Sequence, residues 1–120
     1  MSEFEIRGAT PLRGTVEISG AKNAVLPILA ATVLVSGRCT IKHVPRLKDV
    51  EVMEEVLTYL GAKITRHEDL LEVDTTGLTN VEVPERLMRK MRATIFLMGP
   101  LLARFGKVRI SQPGGCSIGS

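Results

Sequence analysis

One stretch constrains this chain more than any other. Residues 24–35, AVLPILAATVLV, form an apolar run bounded by Gly20 on one side and Gly37 on the other. About a dozen residues fall short of the ~20 needed to cross a bilayer, and Pro27 interrupts the run. The run therefore predicts a buried helix over 21–35, apolar nearly all round, which the rest of the domain must enclose. Pro27 fits best in the first turn, where a missing N–H matters least. Aromatics are 3% of the residues and there is no Trp, so the enclosing core must be built from Leu, Val, Ile, Ala and Met.

The flanking segments supply the other layers. Phe4–Arg7 and Thr15–Ser19 alternate as strands around a Gly/Pro turn. A strand over Cys39–His43 follows the buried helix. Asp49 is placed to cap a second helix, on which Val52, Met53, Val56, Leu57 and Leu60 make one apolar stripe and Gly61 a stop. Lys63–His67 and Leu70–Asp74 read as a hairpin around Glu68-Asp69. A helical region runs from Pro84-Glu85 to about Phe105, broken or kinked at Gly99-Pro100, before a last strand over Lys107–Ser111. Helices alternating with strands and hairpins define an α/β or α+β domain with sheet and helices in layers. The last residues, from Gln112 to Ser120, form a Gly-rich loop rather than a packed element, so the sequence reads as a piece of a longer protein.

The net charge of +3 and pI of about 9.1 favour anionic partners without choosing among nucleic acid, phosphorylated metabolite and membrane surface. The scarcity of aromatics argues against single-stranded nucleic acid, which is held by stacking. Cys39 and Cys116 belong to no CxxC or Cys/His cluster, which speaks against zinc. Two lone cysteines without a signal peptide point to a reducing, cytoplasmic setting.

Three places could carry chemistry. Cys116 lies among Gly114, Gly115 and Gly119, in a loop that a ligand can approach closely. A thiol with an ordinary pKa of ~8.5 is mostly protonated at neutral pH, so it can donate a proton or, as thiolate, form an adduct. The plainer alternative is a packed or solvent-facing thiol. Lys22 and Asn23 place a cation and an amide at a helix start, where the backbone already favours an anion; a solvated lysine beside an Asn cap would look the same. Arg86, Arg89, Lys90 and Arg92 form a basic cluster, most simply a solvated helix face. Arg92 stands at its apolar edge, where a half-buried guanidinium would need an anionic partner such as phosphate. His43, His67 and Cys39 read as ordinary strand-end or core residues.

Four segments together resemble one family. GAKNAVLP (20–27), RKMRAT (89–94), MGPLLARFG (98–106) and PGGCSIGS (113–120) are similar to the enolpyruvyl transferases that use UDP-N-acetylglucosamine, in order along the whole chain. The resemblance implies an inverted α/β barrel of repeated βαβαββ units, of which only part is present here. Residues 1–20 would belong to the second domain of the full enzyme, and 21–120 to the first, ending in the catalytic loop. It implies transfer of the enolpyruvyl group of phosphoenolpyruvate to the sugar 3-hydroxyl with release of phosphate, without a cofactor or metal. By the same resemblance Lys22 and Asn23 contact phosphoenolpyruvate, Arg92 contacts UDP-N-acetylglucosamine, and Cys116 donates the proton and is the thiol alkylated by fosfomycin. The remaining groups would come from the rest of the enzyme, in the same or a second chain, with neither nucleic acid nor membrane as a partner.

Two other readings stay in view. The related shikimate-pathway enolpyruvyl transferase shares this chemistry but carries a Lys-Ser pair and no loop cysteine, so Asn23 and Cys116 argue against it. A noncatalytic anion-binding module would rest on the basic cluster alone, with salt-sensitive binding and no role for Cys116.

Overall fold

The structure is a computed structural model and describes residues 2–110. The apolar run forms helix α1 (Lys22–Ala31), continued by a 3₁₀ turn over Thr32–Leu34. Strand β1 (Arg38–Ile41), helix α2 (Lys48–Leu60) and the hairpin of β2 (Lys63–His67) and β3 (Leu70–Asp74) follow. A short strand β4 (Glu82–Val83) leads to α3 (Glu85–Met88), a 3₁₀ segment over Arg92–Leu97, α4 (Met98–Phe105) and β5 (Arg109–Ile110).

Strand β3 lies between β1 and β2 and is antiparallel to both, so β1 and β2 run parallel with α2 as their crossover. The register puts Cys39, Val73 and Ile64 in one row and Ile41, Leu71 and Arg66 in the next. These rows form the inner face: Leu71 and Val73 are fully buried, and the flanking residues are half-buried. On the other face Arg38, Thr40, Lys63, Thr65 and Glu72 meet solvent, the period-two pattern of a sheet covered on one side. Helix α2 packs on this sheet at β2 and α1 packs on α2, so the buried sides of both helices join Leu71 and Val73 in one core. Arg66 is the polar exception in its row: its guanidinium donates to Glu54 on α2 at 2.6 Å and to the Val44 carbonyl at 3.2 Å, tying helix to sheet.

The stripe expected on α2 is buried as read, joined by Val50. Gly61 ends the helix at φ 118°, a backbone region that L side chains rarely adopt. The Ala62 N–H closes on the Leu57 carbonyl at 3.0 Å. The Glu68-Asp69 turn joins β2 and β3 as expected. After β3, the Thr76 N–H donates to the Asp74 carboxylate at 2.9 Å. Thr76, through side-chain and backbone hydrogen bonds and seconded by Arg38, holds the Asp74 carboxyl below the usual carboxylate range.

Several expectations need correction. Residues 4–7 and 15–19 form no ladder: Phe4, Ile6, Val16 and Ile18 are at least 80% exposed. A strand without a neighbour has nowhere to place its backbone hydrogen bonds. Asp49 is not the cap of α2; Leu47 stands there and Asp49 lies in the first turn. Pro27 is not in the first turn of α1 but inside it, on a solvent-facing side. The helix also shows two faces rather than burial all round: Val25, Leu26, Leu29 and Ala30 are buried, whereas Ala24, Pro27, Ile28 and Ala31 are exposed. Finally, the helical region breaks at Lys90-Met91, where Met91 adopts an extended backbone. Gly99 and Pro100 instead open α4, since proline is tolerated in a first turn.

Candidate functional site

The start of α1 carries Lys22 and Asn23. Ala21 precedes them with extended backbone, no side chain caps the helix, and its first turn holds no acidic residue. The N–H groups and the positive end of the dipole are thus left uncompensated locally, which favours an anion. Helix α2 begins beside it, because α1 and α2 pack against one another. Its second residue, Asp49, reaches back to Lys22: the ammonium donates to Asp49 Oδ2 at 2.9 Å.

The third side comes from residues 90–96. Met91 and Thr94 are buried, and the Thr94 hydroxyl bonds the Met91 carbonyl at 2.8 Å and the Met88 sulfur at 2.9 Å. These anchors fix the backbone on either side of Arg92. Its side chain is exposed, as the solvated-face reading of the basic cluster has it, and makes no ion pair among the described residues.

Lys22, Asn23 and Leu26 from α1, Asp49 from α2, and Lys90, Met91, Arg92 and Phe96 line one open cleft of about 400 Å³. Three cations face one carboxylate there, an arrangement suited to a polyanionic ligand. Leu26, Met91 and the half-exposed Phe96 give it an apolar wall. Lys90 is held at its margin by Glu55, at 3.0 and 3.2 Å. Among the described residues no group of three His, Cys, Asp or Glu could hold a metal, and no helix is long and apolar enough to cross a membrane.

The structure therefore brings together Lys22, Asn23 and Arg92, although Arg92 lies far along the chain from the other two. Cys116, the remaining candidate, lies outside the described residues. Sequence reasoning does not single out Asp49 or Lys90 as site residues. Asp49 reads as a helix cap and Lys90 as part of a solvated cluster, and no spacing rule links either to residue 22. A second depression of about 250 Å³, beside Gly20 and the His43–Asp69 pair, also contains Glu17. Its two carboxylates make it a poor seat for phosphate.

The family model described as EPSP synthase (3-phosphoshikimate 1-carboxyvinyltransferase) matches residues 6–120. The chain belongs to this enolpyruvyl transferase family. Among curated proteins it is 51% identical over 119 residues to the UDP-N-acetylglucosamine 1-carboxyvinyltransferase of Desulfosudis oleivorans, covering 99% of this chain and 28% of that one. The protein of the same name from Dichelobacter nodosus is 51% identical, with 100% of this chain and 29% of the relative covered. The chain thus spans little more than a quarter of the length of these relatives. Among solved structures, the enolpyruvyl transferase NikO from Streptomyces tendae superposes with a TM-score of 0.74 at 26% identity, over 85% of this chain and 24% of that one. The order from α1 to β3 is αβαββ, which agrees with the βαβαββ unit that the resemblance implies apart from its leading strand, and the mixed helix–sheet fold class stands as expected.

Proposed function

We propose that this chain supplies the phosphoenolpyruvate-gripping part of an enzyme that transfers the enolpyruvyl group to the 3-hydroxyl of UDP-N-acetylglucosamine, releasing phosphate. This is the first committed step of peptidoglycan synthesis, a cytoplasmic reaction. One observation carries the reading: Arg92, some seventy residues further along the chain, lines the same cation-rich cleft at the start of α1 as the adjacent Lys22 and Asn23. The names of the roughly half-identical relatives support the choice of sugar nucleotide.

In this reading Lys22 and Asn23 hold the phosphate and carboxylate of phosphoenolpyruvate, and Arg92 faces the UDP-sugar. The Cys116 thiol gives its proton to the methylene carbon, and positive charge develops at the neighbouring carbon. The sugar 3-hydroxyl adds there while a base supplied by the rest of the enzyme takes its proton. Loss of a proton from the new methyl group and cleavage of the C–O bond to phosphate then regenerate the double bond. Lys22 stabilises charge as phosphate leaves; groups of this kind contribute most when they are already in place before reaction. Residues 1–20 supply strands to a sheet of the second domain, where Phe4, Ile6, Val16 and Ile18 find their partners.

The shikimate-pathway reaction is the competing assignment, and Asn23 with Cys116 disfavours it. The test is a hybrid in which this chain replaces the matching 119-residue segment of the Desulfosudis oleivorans relative. The hybrid is expected to release phosphate from phosphoenolpyruvate with UDP-N-acetylglucosamine and not with shikimate 3-phosphate. Cys116→Ser is expected to abolish fosfomycin alkylation and to lower kcat by at least about a hundredfold. Turnover with shikimate 3-phosphate, or full activity in the serine variant, would refute the assignment.

A further inference from the structure

We propose that Asp49 is a positioning residue for Lys22. The inference rests on the reading that Lys22 grips phosphoenolpyruvate. A carboxylate in a cleft built for an anion opposes the ligand by charge, so its presence there calls for a compensating role. Asp49 is the sole carboxylate among the lining residues, and its oxygen stands 2.9 Å from the Lys22 ammonium. Its side chain is short and rises from the first turn of α2, next to the buried Val50, so its carboxylate has little reach. Lys22 is the opposite case, a four-carbon arm at the exposed first residue of α1, with many rotamers open to it. The ion pair joins the two helix starts and selects the rotamer in which the ammonium lies over the cleft. The other two cations need no such help: Lys90 is fastened by Glu55, and Arg92 sits on a backbone fixed by Met91 and Thr94. When phosphoenolpyruvate enters, its oxygens occupy the ammonium donors that Asp49 leaves unused. A lysine ammonium has three N–H groups, and Asp49 takes one.

A purely electrostatic role and a positioning role predict opposite signs. If Asp49 only cancels charge, removing it tightens phosphoenolpyruvate binding. If it holds Lys22, removing it weakens binding and slows turnover. The experiment uses the hybrid enzyme, with phosphoenolpyruvate affinity measured by calorimetry and both steady-state constants recorded. Asp49→Ala is expected to weaken phosphoenolpyruvate binding and lower kcat by about tenfold to a hundredfold, the usual consequence of a misplaced group. KM for UDP-N-acetylglucosamine should not move, and Asp49→Glu should restore most of the loss. In a Lys22→Ala background the same Asp49→Ala change should cost nothing further, because the two act as one unit. Asp49→Asn, which keeps the shape of the first turn, serves if the alanine variant unfolds. Tighter binding in Asp49→Ala, or an equal loss with and without Lys22, overturns the proposal. If the unsubstituted hybrid turns over but Asp49→Ala behaves as wild type, positioning fails and the enzymatic reading survives. If the unsubstituted, folded hybrid does not bind phosphoenolpyruvate, both fall.

Discussion

A hydrogen in place of a methyl group decides the entry to α1. A Cβ on Gly20 would overlap the His43 carbonyl oxygen, with the Pro45 ring at 3.3 Å. The clash is with backbone, so the 43–45 segment would have to move. His43 itself has a positive φ, in the left-handed region, and so has little freedom to adjust. Gly20→Ala is therefore expected to destabilise the chain by about 1–3 kcal/mol, the usual range for inserting a methyl group into a filled space. Urea denaturation monitored by circular dichroism checks it, and an unchanged midpoint would show that the two segments do not meet so closely. The sequence marks Gly20 only as a pattern breaker. The carbonyl it accommodates belongs to a distant part of the chain, and no local rule points to it.

Within α1 the surprise is Pro27. A proline inside a helix removes one backbone hydrogen bond, here the one that would reach the Asn23 carbonyl. Its ring faces solvent, so little packing is lost on replacing it. Pro27→Ala is expected to stabilise the chain by about 1–2 kcal/mol, the restored helix bond being partly offset by a more flexible unfolded chain. A rise in the thermal midpoint checks this. A fall would mean that the proline ring packs usefully in the folded protein. At this scale α2 and the β2–β3 hairpin are the most legible elements, because the stripe from Val52 to Leu60 and the glycine stop are local signals. The break at Lys90-Met91 is not legible. It is imposed by Met91 and Thr94 turning inward, and nothing in the run RKMRAT distinguishes a bend from a continuous helix.

Across the whole molecule, apolar surface is left without a cover. Residues 2–19 are almost wholly exposed, Phe4, Ile6, Leu12, Val16 and Ile18 among them. The outer face of α1 adds Ile28, and Leu34, Val35, Phe96 and Leu102 are each about half exposed as well. Scattered apolar residues on a surface are ordinary, but a helix that leaves one whole apolar side uncovered is not. The 120-residue chain by itself is expected to bind a hydrophobic dye, to self-associate in sedimentation and to release no phosphate from phosphoenolpyruvate. The hybrid enzyme should bind much less dye. A dye-silent monomer, or measurable turnover by the chain by itself, would contradict this view of the surface.

The amino-acid order settled whatever depends on neighbours along the chain. It set the periodicity of α2, the turn at Glu68-Asp69, the glycine stop at Gly61, and the motifs around Lys22 and Arg92 that mark the family. Tertiary structure decided what depends on neighbours through space. It left residues 4–7 and 15–19 without ladders, set Met91 and Thr94 inward, kept Arg92 exposed and brought Asp49 onto Lys22. The reason is that a helix or turn satisfies its hydrogen bonds within a few residues. A strand, a cleft or an ion pair between two helix starts exists only once distant segments have been brought together.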